Sequence, residues 1–240
     1  PYTGANAWKI PLRPVAAAAP TPLKNRFLRG AVALAANGIP IFNPQNNRGE
    51  VSQDIGELDK WGGHCGRADD YHYHIIPLHL QTTAGTSLPV AVALDGYPVY
   101  GTTEPDGGSL KPLDACGGHE DAKVGYHYHG TGKSPYVFPA FHGTVTEAEG
   151  QVDPQPRAQP VREAGAPLRG AVIVSFSEEK ASASGRHWNL EYTLGGKKHS
   201  WRWGVEGEVV RLWVDGAKEP LEFRRRAGGG GGGREGGGSG

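Results

Sequence analysis

The chain has 240 residues, 37% of them hydrophobic, and its 25 Lys plus Arg match its 25 Asp plus Glu. That balance supplies no net field to gather nucleic acid or an anionic membrane surface, and no run of about 18 apolar residues is present to span a bilayer. Glycine (38) and proline (19) commit so much backbone to turns that a mainly β, loop-rich fold is expected rather than a helical one.

Residues 1–29 hold too many prolines for a helix and too little alternation for more than one strand, so they are expected to form an extended arm laid on the core. From residue 30 the pattern changes. "AVALAANGIPIFN" (31–43) is apolar, turns at Asn37-Gly38 and resumes apolar, and "VAVALDGYPVYG" (90–101) does the same at Asp95-Gly96; both are hairpin signals. Pro40 and Pro98 follow the turn glycines by two residues, which places the return strands at sheet edges, where no N–H is needed.

Each hairpin leads to the same phrase. "LDKWGGHCGRADDYHYH" (58–74) recurs as "LDACGGHEDAKVGYHYH" (113–129), offset by 55 residues and identical at nine of 17 positions. Two copies are too few for a solenoid, so residues 30–149 are expected to form one duplicated, pseudo-twofold domain. Residues 150–169 are Pro- and charge-rich and suggest a linker or surface strap. Residues 170–226 alternate apolar and polar, with turns at Gly195-Gly196 and Asp215-Gly216, as a small antiparallel meander would. The glycine-rich end, 227–240, is expected to be a disordered tail.

The chemistry concentrates in the repeat. Side chains two apart on a strand share a face, so His72 pairs with His74 and His127 with His129, each a two-imidazole claw. His64 and His119 stand eight residues before the first ring of each claw, behind a Gly-Gly pair that lets the backbone approach closely. Three neutral imidazoles with room for water suit a transition metal, copper or zinc first. The plainer alternative is that the rings only hydrogen-bond loop carbonyls or Asp59 and Asp114; those two carboxylates are equally candidates for fixing the ring tautomers. Tyr71, Tyr73, Tyr126 and Tyr128 point the other way and are expected in the core with satisfied hydroxyls. His79, His142, His187 and His199 have no partner at the repeat offset and are set aside.

Cys65 and Cys116 are the only cysteines and fall one in each copy, so a single disulfide is the leading expectation, with buried thiols or metal thiolates as alternatives. Such a bridge would draw the two Gly-Gly-His loops together and favours one shared centre over two separate ones. No nucleophile elbow or phosphate-binding loop occurs.

With "VALAANGIPIFNP", "GELDKWGGHCGRADDYHYHIIPLHL", "AVALDGYPVYG" and the second Gly-Gly-His to Tyr-His-Tyr-His span, the chain resembles the YHYH protein family over residues 30 to about 136. The strap and the "LEYTLGGKK" meander resemble C-terminal extensions of environmental bacterial members, many of which carry export signals. The resemblance implies an extracytoplasmic location, in keeping with a chain without Met whose targeting segment is not in view. It implies no reaction. The expectation is therefore an exported metal-binding protein of unassigned activity; the rival is a metal-free binding or surface-attachment module whose Tyr-His-Tyr-His strands are structural.

Overall fold

A computed structural model describes residues 5–66, 70–157, 166, 168–182 and 185–224. The expected tail, 227–240, and residues 158–165 of the linker lie outside the described residues.

The duplicated segment builds one eight-stranded sheet. Its first half supplies β2 (Ala31–Ala35), β3 (Pro40–Phe42), β4 (Gly63–Cys65) and β5 (Tyr71–Tyr73), and its second half β6 (Ala91–Ala93), β7 (Pro98–Tyr100), β8 (Gly118–His119) and β9 (His127–His129). The order is β4-β5-β3-β2-β6-β7-β9-β8, which runs through equivalent strands from either end. The halves meet where β2 and β6 pair antiparallel, Leu34 opposite Val92.

Both hairpins turn where expected. Gly38 has φ +83° and Gly96 φ +96°, and the strands close through Ala35 N–H to Ile39 O and Ala93 N–H to Tyr97 O, each 2.9 Å. The edge placement of the return strands is overturned: β3 lies between β2 and β5, and β7 between β6 and β9. Each proline opens its strand, and the parallel contact to the next strand starts one residue later, at Ile41 with Tyr73 and Val99 with Tyr128. The missing N–H therefore falls where no ladder bond is made.

The arm forms one strand, β1 (Ala16–Pro22), paired with β10 (Ala140–Gly143). Just beyond it Leu23 and Phe27 enter the core beside Phe138 and Phe141; Phe27 meets Phe141 edge-on at 5.6 Å, and Tyr128 stacks on Phe138 at 4.4 Å. The strap is fastened by Gln155, which accepts from Trp8 Nε1–H and Ala31 N–H and donates to Ala31 O, closing over the start of β2.

The C-terminal part is a five-stranded antiparallel meander: β13 (Val172–Ser182), β14 (Gly185–Leu194), β15 (Lys197–Glu206), β16 (Val209–Val214) and β17 (Leu221–Arg224), after the small hairpin β11 (Glu147–Ala148) and β12 (Gln151–Val152). Trp188 pairs with Trp203 and Leu190 with Trp201 across β14 and β15. Of the meander's large apolar side chains, Tyr192 is the one buried among the described residues. Helix is confined among the described residues to α1 (His79–Ala84), and none is long and apolar enough to cross a membrane.

Candidate metal centres

The phrase Leu-Asp-x-x-Gly-Gly-His is a tight turn that starts a strand. Asp59 N–H bonds Gly63 O and Gly62 N–H bonds Asp59 O; Asp114, Gly118 and Gly117 repeat both bonds. Gly62 (φ +84°) and Gly117 (φ +81°) adopt a backbone that β-carbon residues avoid. The second glycine is needed for space, since a Cβ on Gly63 would sit 2.5 Å from Tyr71 Oη and one on Gly118 2.6 Å from Tyr126 Oη. The turn thus lays β4 against β5 with His64 opposite His72, and β8 against β9 with His119 opposite His127.

The tyrosines on the opposite strand faces are held as expected. Tyr71 Oη donates to Asp59 (2.9 Å), Tyr126 Oη to Asp114 (2.9 Å) and Tyr128 Oη to the buried Asp95 (2.5 Å), while Tyr73 Oη accepts from Asn37 Nδ2 (3.1 Å). Asn37 and Asp95, the turn residues of the hairpins, do equivalent work in the two halves.

The imidazoles converge. In the first half His64 Nε2 lies 3.1 Å and His72 Nε2 3.2 Å from His74 Nε2; in the second, His119 Nε2 lies 3.3 Å from His129 Nε2. The opposite ring nitrogens face backbone carbonyls: His72 Nδ1 on Asp70 O (2.8 Å), His74 on Asn43 O (2.5 Å), His127 on Gly125 O (2.9 Å) and His129 on Gly101 O (2.8 Å). A carbonyl only accepts, so in these four rings Nδ1 carries the proton and Nε2 presents a lone pair inwards. Burial lowers the pKa of His72 to about 4 and that of His74 to about 3, and also lowers those of His64 and His129, keeping these rings neutral at physiological pH.

The second half brings in a residue absent from the sequence reading. Glu104 Oε1 is 3.1 Å from His119 Nε2 and 3.8 Å from His129 Nε2, and Oε2 is 3.9 Å from His127 Nε2. Burial opposes its ionisation, but the Lys111 backbone N–H and His119 outweigh that and hold its pKa below the usual range. Oε2 has Lys111 Nζ as an ion-pair partner at 3.4 Å yet makes no hydrogen bond, and buried His127 Nε2 makes none either. Glu104 is found by aligning the hairpins rather than the histidines. Asn37-Gly38 to Asp95-Gly96 is an offset of 58, which sets Asn46 opposite Glu104.

The cysteine expectation is overturned. Cys65 and Cys116 are thiols with no bond between them. Cys65 lies exposed on β4, after His64, whereas Cys116 is buried in the turn before Gly117-Gly118; their repeat equivalents are Glu120 and Trp61, so the pseudo-twofold does not pair them. The shared centre falls with the bridge, because the ligand atoms form two groups, each within 4.8 Å, that have no residue in common. Asp59 and Asp114 hold the turns instead of the rings: Asp59 Oδ1 accepts from Trp61 and Gly63 N–H, and Asp114 Oδ1 from Cys116 and Gly118 N–H. The tautomers are set by carbonyls.

Among the histidines set aside, His199 pairs with Asp215 (2.9 Å) and His142 stacks on Tyr126 (3.6 Å). His142 also groups with Asp114 and Cys116, but Asp114 is already engaged by two N–H groups and a hydroxyl, and burial raises the Cys116 thiol pKa, which disfavours the thiolate.

The donor sets fit a transition-metal ion. Bonds of ~2.0–2.1 Å in a tetrahedron place ligand nitrogens ~3.3 Å apart, close to the observed 3.1 to 3.3 Å. In each centre the two strand imidazoles present inward lone pairs with no proton between them, and a cation placed among the three rings would satisfy both.

No curated protein and no solved structure matches the chain. The family model described as YHYH protein matches residues 7–109, a span that takes in the arm from Ala7, the first three histidines and Glu104 but stops short of the second Gly-Gly-His. Over that stretch, somewhat under half of its length, the chain is similar to the YHYH protein family.

Proposed function

We propose that this protein binds divalent transition-metal ions, copper or zinc, at two centres: His64, His72 and His74 hold one, and His119, His127 and His129 with Glu104 hold the other. The observation that carries the reading is the directed tautomer. Because backbone carbonyls take their Nδ1 protons, His72 cannot hydrogen-bond His74, nor His127 His129, through the inward Nε2 atoms; a proton on the third ring, His64 or His119, reaches at most one of each pair, and His127 Nε2 is buried without any partner. A bound ion satisfies them all. An ion on neutral imidazoles would polarise an oxygen ligand and lower the pKa of bound water; no reaction is assigned. We further propose an extracytoplasmic location, supported by the resemblance to exported relatives.

Elemental analysis of protein purified without a histidine tag tests the metal reading. About two ions per chain are expected after exposure to Cu²⁺ or Zn²⁺, and uptake below about a tenth of an equivalent would leave the strands as purely structural elements.

A further inference from the structure

We propose that the two centres are chemically unequal: Glu104 closes the second into a four-ligand set, while the first stops at three imidazoles and leaves its ion a position for an exchangeable ligand, water or a small anion. This rests on the metal reading above and deepens it.

The difference is written into equivalent turns. Gly49 N–H bonds Asn46 O and Gly107 N–H bonds Glu104 O, both at 2.9 Å, while Asn46 and Glu104 N–H bond Glu50 O and Gly108 O. Isolated bridges flank the two turns alike, Gln45 with Val51 and Thr103 with Ser109. From this shared position Glu104 reaches inwards to His119. Asn46 does not. Its Nδ2 donates to the Glu50 and Glu57 carboxylates (3.1 and 3.2 Å), and its Oδ1 accepts from the Arg48 and Glu50 N–H groups. Glu57, the nearby carboxylate, is in turn held by Arg48 and Ser52. Among the described residues, only three ligand atoms group at the first centre, against four at the second.

The charges differ as well. Three neutral imidazoles bring no ligand charge to a divalent ion, and the Glu57 and Asp70 carboxylates that act on His64 stand outside the ligand group, whereas Glu104 brings a negative charge into the second. Four protein ligands suit a closed site, whereas three plus an open position suit one that trades water for an incoming ligand. The ligand class expected at the first centre is therefore a small anion or a substrate oxygen. Its entry displaces a bound water, with no electron transferred.

Loading with Co²⁺ and titrating with sodium azide tests this by visible absorption. The expected result is uptake of two Co²⁺ per chain, with azide perturbing the bands of one. His72→Ala with His74→Ala should remove the azide-sensitive component, and His127→Ala with His129→Ala should leave it. Glu104→Gln should make the second ion azide-sensitive and weaken its binding by at least the ~10–100-fold typical of losing a mere supporting partner. An azide response at both ions or at neither, or one that survives loss of His72 and His74, overturns the proposal while the metal reading stands. Failure to take up Co²⁺ overturns both. Should Glu104→Gln not fold, the wild-type titration and the two histidine pairs still decide.

Discussion

His72 and His74 are buried as neutral rings, with pKa values lowered by that burial to about 4 and about 3, against 6.5 for an exposed imidazole. In the metal-free protein this makes acid destabilising in a definite window. Between the unfolded and folded pKa values the unfolded chain binds protons that the native chain refuses, so stability rises with pH there. It is fully present above about pH 6.5 and is lost progressively towards about pH 4 for His72 and about pH 3 for His74, with a slope of up to ~1.4 kcal/mol per pH unit for each such ring. The melting temperature of chelator-treated protein is expected to fall across that window; a level profile between about pH 7 and about pH 5 would contradict the burial of neutral rings. The shared face of these two rings was legible because strand side chains alternate. The carbonyl partner of His74 was not, since Asn43, like Gly101 for His129 in the second half, comes from a loop whose approach no local pattern encodes. Glu104 was hidden by arithmetic: 18 residues separate Asn46 from His64, but 15 separate Glu104 from His119, so a search at the histidine offset passes it by.

The two hairpins look alike in sequence and turn alike in space, yet they carry different loads. A Cβ at Gly38 would meet nothing within 4 Å, whereas one at Gly96 would lie 2.5 Å from Pro11 O and close to Pro14, because the arm crosses the second turn. Gly38→Ala should therefore lose only the conformational term of a positive φ, about 1–2 kcal/mol. Gly96→Ala should lose that and also displace the arm, and its urea midpoint is expected to drop further than that of Gly38→Ala. Equal midpoints would mean that the arm contributes nothing at this contact. The Asn-Gly and Asp-Gly signals located both turns. The prolines misled because an interior strand can begin with one when its second neighbour pairs only from the next residue, as β3 does with β5 at Ile41.

At the level of the whole molecule, duplication explains the architecture but not the number of sites. The repeat alone allows two claws to face each other across a twofold or to face away. The sheet order decides: β5 and β9 are separated by β3, β2, β6 and β7, and each claw turns towards a loop of its own half, where Asn43 O or Gly101 O receives a ring N–H. A disulfide between the copies would have favoured a shared centre, but Cys65 and Cys116 occupy non-equivalent positions and remain thiols. The centres should therefore load and fail independently. Replacing His127 and His129 by Ala is expected to halve the bound metal and leave the affinity of the His64, His72 and His74 centre within the error of wild type, as additivity requires for sites without common partners. Both rings are buried, so truncation also opens cavities. His119→Ala, at the more accessible rim of the same centre, provides a milder variant that should weaken that centre while sparing the first. Calorimetric titration of these proteins with Zn²⁺ reads stoichiometry and affinity together. Loss of nearly all tight binding in the double variant, with the fold intact by circular dichroism, would show that the centres are coupled after all; one full-affinity site remaining is the outcome that separate centres on opposite halves of the sheet demand.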